Sequence, residues 1–255
     1  MKQKQAMFWL QVRRATALAV VLLLWEGISA LGWVDPFYAP PPSAIGGAIA
    51  ELFADGEIYG HLEATFGAAL LGLFLGLIGG ALLGFIAALL RPVAELLEPV
   101  MAMLNAIPRV ILAPLFIIWL GIGIASKVAL SFILVVVLTF FAVYNGIRDV
   151  DTRLVERVKT LGGGSWTLLR EVYVPSVVAW VMGSLKVAVG FAFTGAVVGE
   201  FVASSRGLGY LLAFAQSTYN AALTFALIVL VLVFVMILFG LAGALERYLL
   251  RWKYR

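Results

Sequence analysis

Six long apolar runs separated by short polar segments dominate the chain, at roughly residues 14–33, 62–90, 97–120, 128–147, 175–199 and 222–247. Each is long enough to cross about 30 Å of hydrocarbon as a helix. The pattern therefore predicts an all-α membrane protein with six transmembrane helices. The first run is read as a retained span, because its apolar stretch exceeds the about 7–15 residues of a signal-peptide core, although Ala30-Leu31-Gly32 loosely resembles a cleavage site. After it, Pro36, Pro40, Pro41 and Pro42 stop any helix, and Ser43 to Phe53 reads as a short amphipathic surface helix. In the second run Gly72, Gly76, Gly80 and Gly84 stand four apart, which leaves one helix face nearly free of side chains for a close-packed neighbour. Pro108 and Pro114 interrupt the third run, where a kink is expected.

Composition supports the same class. With 63% hydrophobic and 13% charged residues and a mean hydropathy of +1.06, the chain is too apolar for a soluble domain. It has no cysteine and one histidine, His61, so disulfides, thiolate ligands, thiol nucleophiles and a histidine zinc cluster are excluded. A pI of 9.4 raises the question of nucleic acid, but the basic residues sort by membrane side instead. Of the 18 Lys and Arg, 14 lie before the first run, after the second, between the fourth and fifth, or after the sixth; Lys127 and Arg206 are the two outside the runs on the other side. The positive-inside bias then puts both termini and the segment 148–174 in the cytoplasm.

That cytoplasmic segment carries the most specific pattern. Asp151 to Leu161 is suited to a short polar helix, Gly162-Gly163-Gly164 to a sharp reversal, and Ser165 to capping a second helix that reaches Tyr173, with Pro175 opening a new element. Glu156, Gly162 and Pro175 have the spacing of the EAA loop of binding-protein-dependent ABC permeases, with Arg157 and Val158 in place of the two alanines. Asn105 to Lys127, Gly195 to Ala213 and Trp25-Glu26 with the following proline-serine segment also resemble the permeases of aliphatic sulfonate, taurine and nitrate importers. The resemblance implies a type I ABC importer permease fold, a single permease domain over 1–255 and residence in a bacterial inner membrane. It further implies a second permease copy forming a homodimer, an external solute-binding protein, and a separate ATPase that carries ATP and magnesium, with no cofactor on this chain. Glu156, Gly162, Gly163, Ser165 and Pro175 would then couple to the ATPase. The cargo it suggests is a small organic anion or zwitterion, such as a sulfonate, taurine, nitrate or an aromatic carboxylate. A secondary transporter or channel working without an ATPase is the rival reading.

Charges inside apolar runs are costly. Glu26, Arg109 and Lys186 fall near mid-depth of the first, third and fifth runs, and Glu200 at the outer end of the fifth. Two readings stand: Arg109 and Lys186 line a polar translocation path, with Glu26 and Glu200 as further candidates, or Glu26 pairs with one of the cations to fix helix packing. Glu200 has the alternative of an acid solvated at the interface. Ser204 to Gly209 lacks the Gly-Lys-Ser/Thr ending of a nucleotide loop. The aromatics around the first and last runs read as interfacial belts.

Overall fold

The computed structural model describes the backbone of residues 2–251 and the side chains of 9–108 and 110–251. Among these residues it is entirely helical. The elements are α1 (Lys2–Ala30), α2 (Pro42–Ala54), α3 (Ile58–Leu89), α4 (Arg91–Ala106), α5 (Leu112–Leu120), α6 (Ile124–Arg148), α7 (Thr152–Thr160), α8 (Ser165–Leu168), α9 (Val174–Val202), α10 (Leu208–Ser217) and α11 (Ala221–Leu249). Among the described residues four helices are long and apolar enough to cross a membrane: α3, α6, α11 and an uninterrupted stretch from Ser165 to Val202 that contains α8 and α9. The expected third span is not one helix. Pro108 disfavours the α conformation at Ile107, which is extended (φ −68°, ψ 129°), so α4 stops at Ala106 and the chain resumes through a 3₁₀ turn, Arg109–Ile111, into α5. The basic residues Lys253 and Arg255 and the aromatics Trp252 and Tyr254 lie outside the described residues.

The chain forms two compact units, residues 1–59 with 211–231 and residues 60–210 with 232–255. In the first, Pro41 and Pro42 open α2 and offer no side-chain cap. The Glu26 carboxylate supplies one from α1: it accepts the Ser43 amide (3.0 Å) and hydroxyl (2.6 Å). This satisfies an orphan donor of the first turn and sets negative charge at the positive end of the helix. Trp25 meets Phe225 edge-on, and Phe37 stacks on Tyr219.

The second unit is built around α6. Its residues Ser131, Val135, Thr139 and Val143 repeat every four, in register with the glycines of α3. A methyl group at Gly72 would overlap Ser131, and one at Gly76, Gly80 or Gly84 would come within 2.5–3.2 Å of Val135, Thr139 or Val143. The order of these contacts makes α3 and α6 parallel. Residues 90–123 must therefore return the chain from one end of the unit to the other, which α4 and α5 do in two pieces. On another side of α6, α9 runs antiparallel in one register from Gly146 against Trp180, through Ser131 against Gly195, to Lys127 against Gly199. Ser131 Oγ donates to the Ala192 carbonyl (2.8 Å) across that seam. Ala94 and Met101 of α4 complete the core with Val136, Val137 and Phe140.

Candidate coupling site and buried charges

Segment 149–174 is shaped by local rules. Asp151 caps α7 by accepting the Arg153 amide (2.9 Å). At the other end the Gly162 amide donates to Lys159 O (3.0 Å) and the Gly163 amide to Val158 O (2.9 Å), with Gly162 at φ +81°. These are the two hydrogen bonds of a Schellman cap, whose reversal needs a left-handed residue. Gly163 is required for another reason: a Cβ there would lie 2.6 Å from Val158 Cγ1 and 2.8 Å from Val158 O. One expectation is corrected here. Ser165 is the first residue of α8 and makes no capping hydrogen bond; Gly164, in an extended conformation, takes the N-cap position.

Pro175 does not begin a separate element either. A π turn, Leu169–Tyr173, precedes it, and the helix continues through Val174 and Pro175. The wider turn accommodates a ring that would otherwise clash with the carbonyl four residues back and cannot donate to it. The result is a 38-residue rod from Ser165 to Val202, about 57 Å at 1.5 Å per residue. Along the elbow Glu156 is exposed, as are the apolar side chains of Leu154, Leu161 (79%) and Trp166 (73%). The motif spacing did not single out these three. Their signal was weak: apolar residues within an otherwise polar segment.

The charged residues of the apolar runs find partners different from those expected. Lys186 Nζ pairs with Glu246 Oε2 of α11 at 3.0 Å. Lys186 stands near the middle of the Ser165–Val202 rod, while its partner Glu246 lies in the last turn of α11. Glu26 is engaged by Ser43, so neither side chain supports the Glu26–Lys186 pair. The Arg109 side chain lies outside the described residues. Glu200 is 1% exposed, which removes the solvated-acid alternative. Lys127, read as an external loop cation, is also buried (7%), in the first turn of α6. At the end of α6 that leads into segment 149–174, Arg148 donates to Tyr144 Oη (2.8 Å), which donates to Glu98 (3.0 Å). No group of three or more metal-ligating side chains occurs among the described residues.

The Lys186–Glu246 pair makes a measurable prediction. Its side chains are 47% and 19% exposed, so its loss should fall between the roughly 1 kcal/mol of an exposed pair and the roughly 3–5 kcal/mol of a buried one. Lys186→Met should lower the thermal midpoint in detergent, and adding Glu246→Gln should restore most of it. Adding Glu26→Gln should not; rescue by that variant instead would assign the partner wrongly.

Comparison with known proteins extends this picture. The family model described as binding-protein-dependent transport system inner membrane component matches residues 80–251. The chain is 33% identical over 245 residues to the riboflavin transport system permease protein RibX of Chloroflexus aurantiacus, covering 96% of this chain and 91% of the relative. It is 32% identical over 239 residues to the putative aliphatic sulfonates transport permease protein SsuC of Bacillus subtilis, covering 92% and 85%. In fold it is similar to the MetNI methionine ABC transporter, with a TM-score of 0.59 at 20% identity over 75% of this chain and 94% of that one.

Proposed function

The chain belongs to the family of binding-protein-dependent transport system inner membrane components, and on that premise we propose that its Glu156–Pro175 segment is the handle by which an ATPase moves it. As a member it is the multi-pass inner-membrane permease of an ABC importer, not itself catalytic and without a cofactor of its own. The system implies an ATPase and a solute-binding protein as partners. The observation that carries the handle is the rigid elbow of α7 and α8. Glycine-capped, with Leu154, Leu161 and Trp166 exposed, it is joined without interruption to a helix longer than a membrane is thick. ATP-driven closure of the partner would draw the elbow inward and tilt α9, changing the side to which the path opens.

The permease domain spans the whole chain, in this reading, with six crossings and cytoplasmic termini. Support comes from the parallel run of α3 and α6, which requires a return crossing between them, and from Arg91, Arg148 and Arg247 at the end of the second unit that bears the coupling segment. A second copy of the chain completes the path. The cargo is a small organic anion or zwitterion, a choice supported by the sulfonate permease relative, with riboflavin second on the strength of the other. Of the four charged candidates, Arg109 keeps the path role; Lys186, Glu26 and Glu200 hold helices together.

The orientation is tested by cysteines at Thr152 and Asp55 in whole cells with a permeabilised outer membrane. A membrane-impermeant thiol reagent should label Asp55→Cys at once, and Thr152→Cys only after the inner membrane is opened. Immediate labelling at Thr152 would place the handle on the wrong side for any ATPase.

A further inference from the structure

The chain enters the second unit at Gly60 and leaves it at Tyr210, and one cluster of hydrogen bonds ties entry and exit to the end of α9. Both Glu200 carboxylate oxygens lie within reach of the Thr65 hydroxyl of α3 (2.9 and 2.8 Å), and Oε2 also accepts the Gly209 amide of α10 (3.0 Å). Thr65 Oγ1 in turn accepts the Leu208 amide (2.8 Å). One turn earlier on α3, His61 Nδ1 accepts the Gly207 amide (3.0 Å), and the His61 ring lies parallel to that of Tyr210, 5.9 Å between centroids. The connecting loop is fastened as well: Lys127 Nζ donates to Ser204 Oγ (2.5 Å), which donates to the Arg206 carbonyl (2.5 Å).

The backbone has been fitted around this carboxylate. Gly207 sits at φ +118°, and a Cβ there would fall on the Glu200 carboxylate; one at Gly209 would overlap Val197 O and approach Glu200 Cβ at 2.8 Å. A buried carboxylate with hydroxyl and amide donors is expensive to leave unpaired, so the cluster holds together or comes apart as a unit. It sits two residues from the end of the Ser165–Val202 rod, whose other end is the coupling elbow.

We propose that Glu200 and Thr65 are positioning residues that form the output end of this rod: a displacement delivered at the elbow reaches α10 and the start of α3 through their hydrogen bonds. The proposal rests on the coupling reading of the Glu156–Pro175 segment. A rigid helix conveys tilt to whatever is fixed to its far end. The backbone link from α9 to α10, residues 203–207, is pinned to α6 through Lys127 and Ser204, so the Glu200 bonds are the direct tie between the rod and α10.

The test uses the full complex with its ATPase in proteoliposomes, and ATP with vanadate as the probe. Thiol reactivity is measured at an input position, Trp166→Cys, and an output position, Gln216→Cys on α10, in the parent and in Thr65→Val, Thr65→Ser and Glu200→Leu, which removes both acceptor oxygens. In the parent and in Thr65→Ser, which keeps the hydroxyl, ATP–vanadate should change reactivity at both positions. In Thr65→Val and Glu200→Leu the input change should persist while the output change falls at least fivefold. Output responses that survive in both variants overturn the clasp alone, and a parent in which neither position responds overturns the coupling reading and the clasp with it. Failure of Thr65→Val and Glu200→Leu to assemble, where Thr65→Ser assembles, makes the cluster a folding element and also overturns the proposal.

Discussion

Gly162→Val should abolish solute uptake while the permease still accumulates in the membrane. Gly162 is at φ +81°, and nothing lies within 4 Å of where a Cβ would stand, so crowding plays no part in the effect. The cost is conformational. A left-handed backbone costs a residue with a Cβ about 1–2 kcal/mol, and more when it is β-branched. The Schellman bonds from Gly162 and Gly163 close only in that conformation, so valine there opens the turn between α7 and α8 and disperses Leu154, Leu161 and Trp166. ATPase recovered with the affinity-purified permease should fall at least tenfold. Gly162→Asn is the control, since asparagine tolerates the left-handed region; it should retain most uptake and most ATPase. Uptake at the parental rate in Gly162→Val would show that the elbow does not carry the coupling.

A second large effect is expected at the seam between α3 and α6. Inside a membrane, apolar surface gives helices no preference for each other over lipid, so association depends on how closely their backbones approach. At Gly80 an added methyl would lie 2.6 Å from both Thr139 Cβ and the Val136 carbonyl, a backbone atom that cannot move aside without shifting α6. Overpacking typically costs about 1–3 kcal/mol, and a collision with backbone belongs at or above the top of that range. Gly80→Val should therefore lower the yield of folded protein sharply, with a fall of ten degrees or so in the detergent thermal midpoint, taking about 2–4 °C per kcal/mol for a chain of this size. The neighbouring Gly79 faces only the Phe132 ring at 3.3 Å and the Val136 methyl at 3.5 Å, groups that can rotate. Gly79→Ala should be nearly neutral. Equal tolerance at both positions would mean that the two helices do not pack through the glycine face.

What was legible in the sequence follows from interactions that are local or periodic. The second apolar run, read as 62–90, is α3 at Ile58–Leu89, and the fourth, 128–147, is α6 at Ile124–Arg148, because an uninterrupted apolar stretch forms its backbone hydrogen bonds within itself. The glycine ladder announced a close neighbour through its spacing alone. The α7 cap, its left-handed glycine and the reversal into α8 depend on residues close together in the chain. The break at Ile107 was half legible: Pro108 marked the place, but whether the chain kinks or stops depends on what surrounds it.

The partners of the charges in the apolar runs were decided by tertiary structure. Lys186 meets Glu246, and Glu200 meets Thr65 from 135 residues away, because helix packing sets the rotation and register of α3, α9 and α11. Neither quantity is encoded near the charge itself. A charge in an apolar run announces that it needs a partner; which group supplies it depends on which faces the backbones, brought together by glycine, turn toward each other.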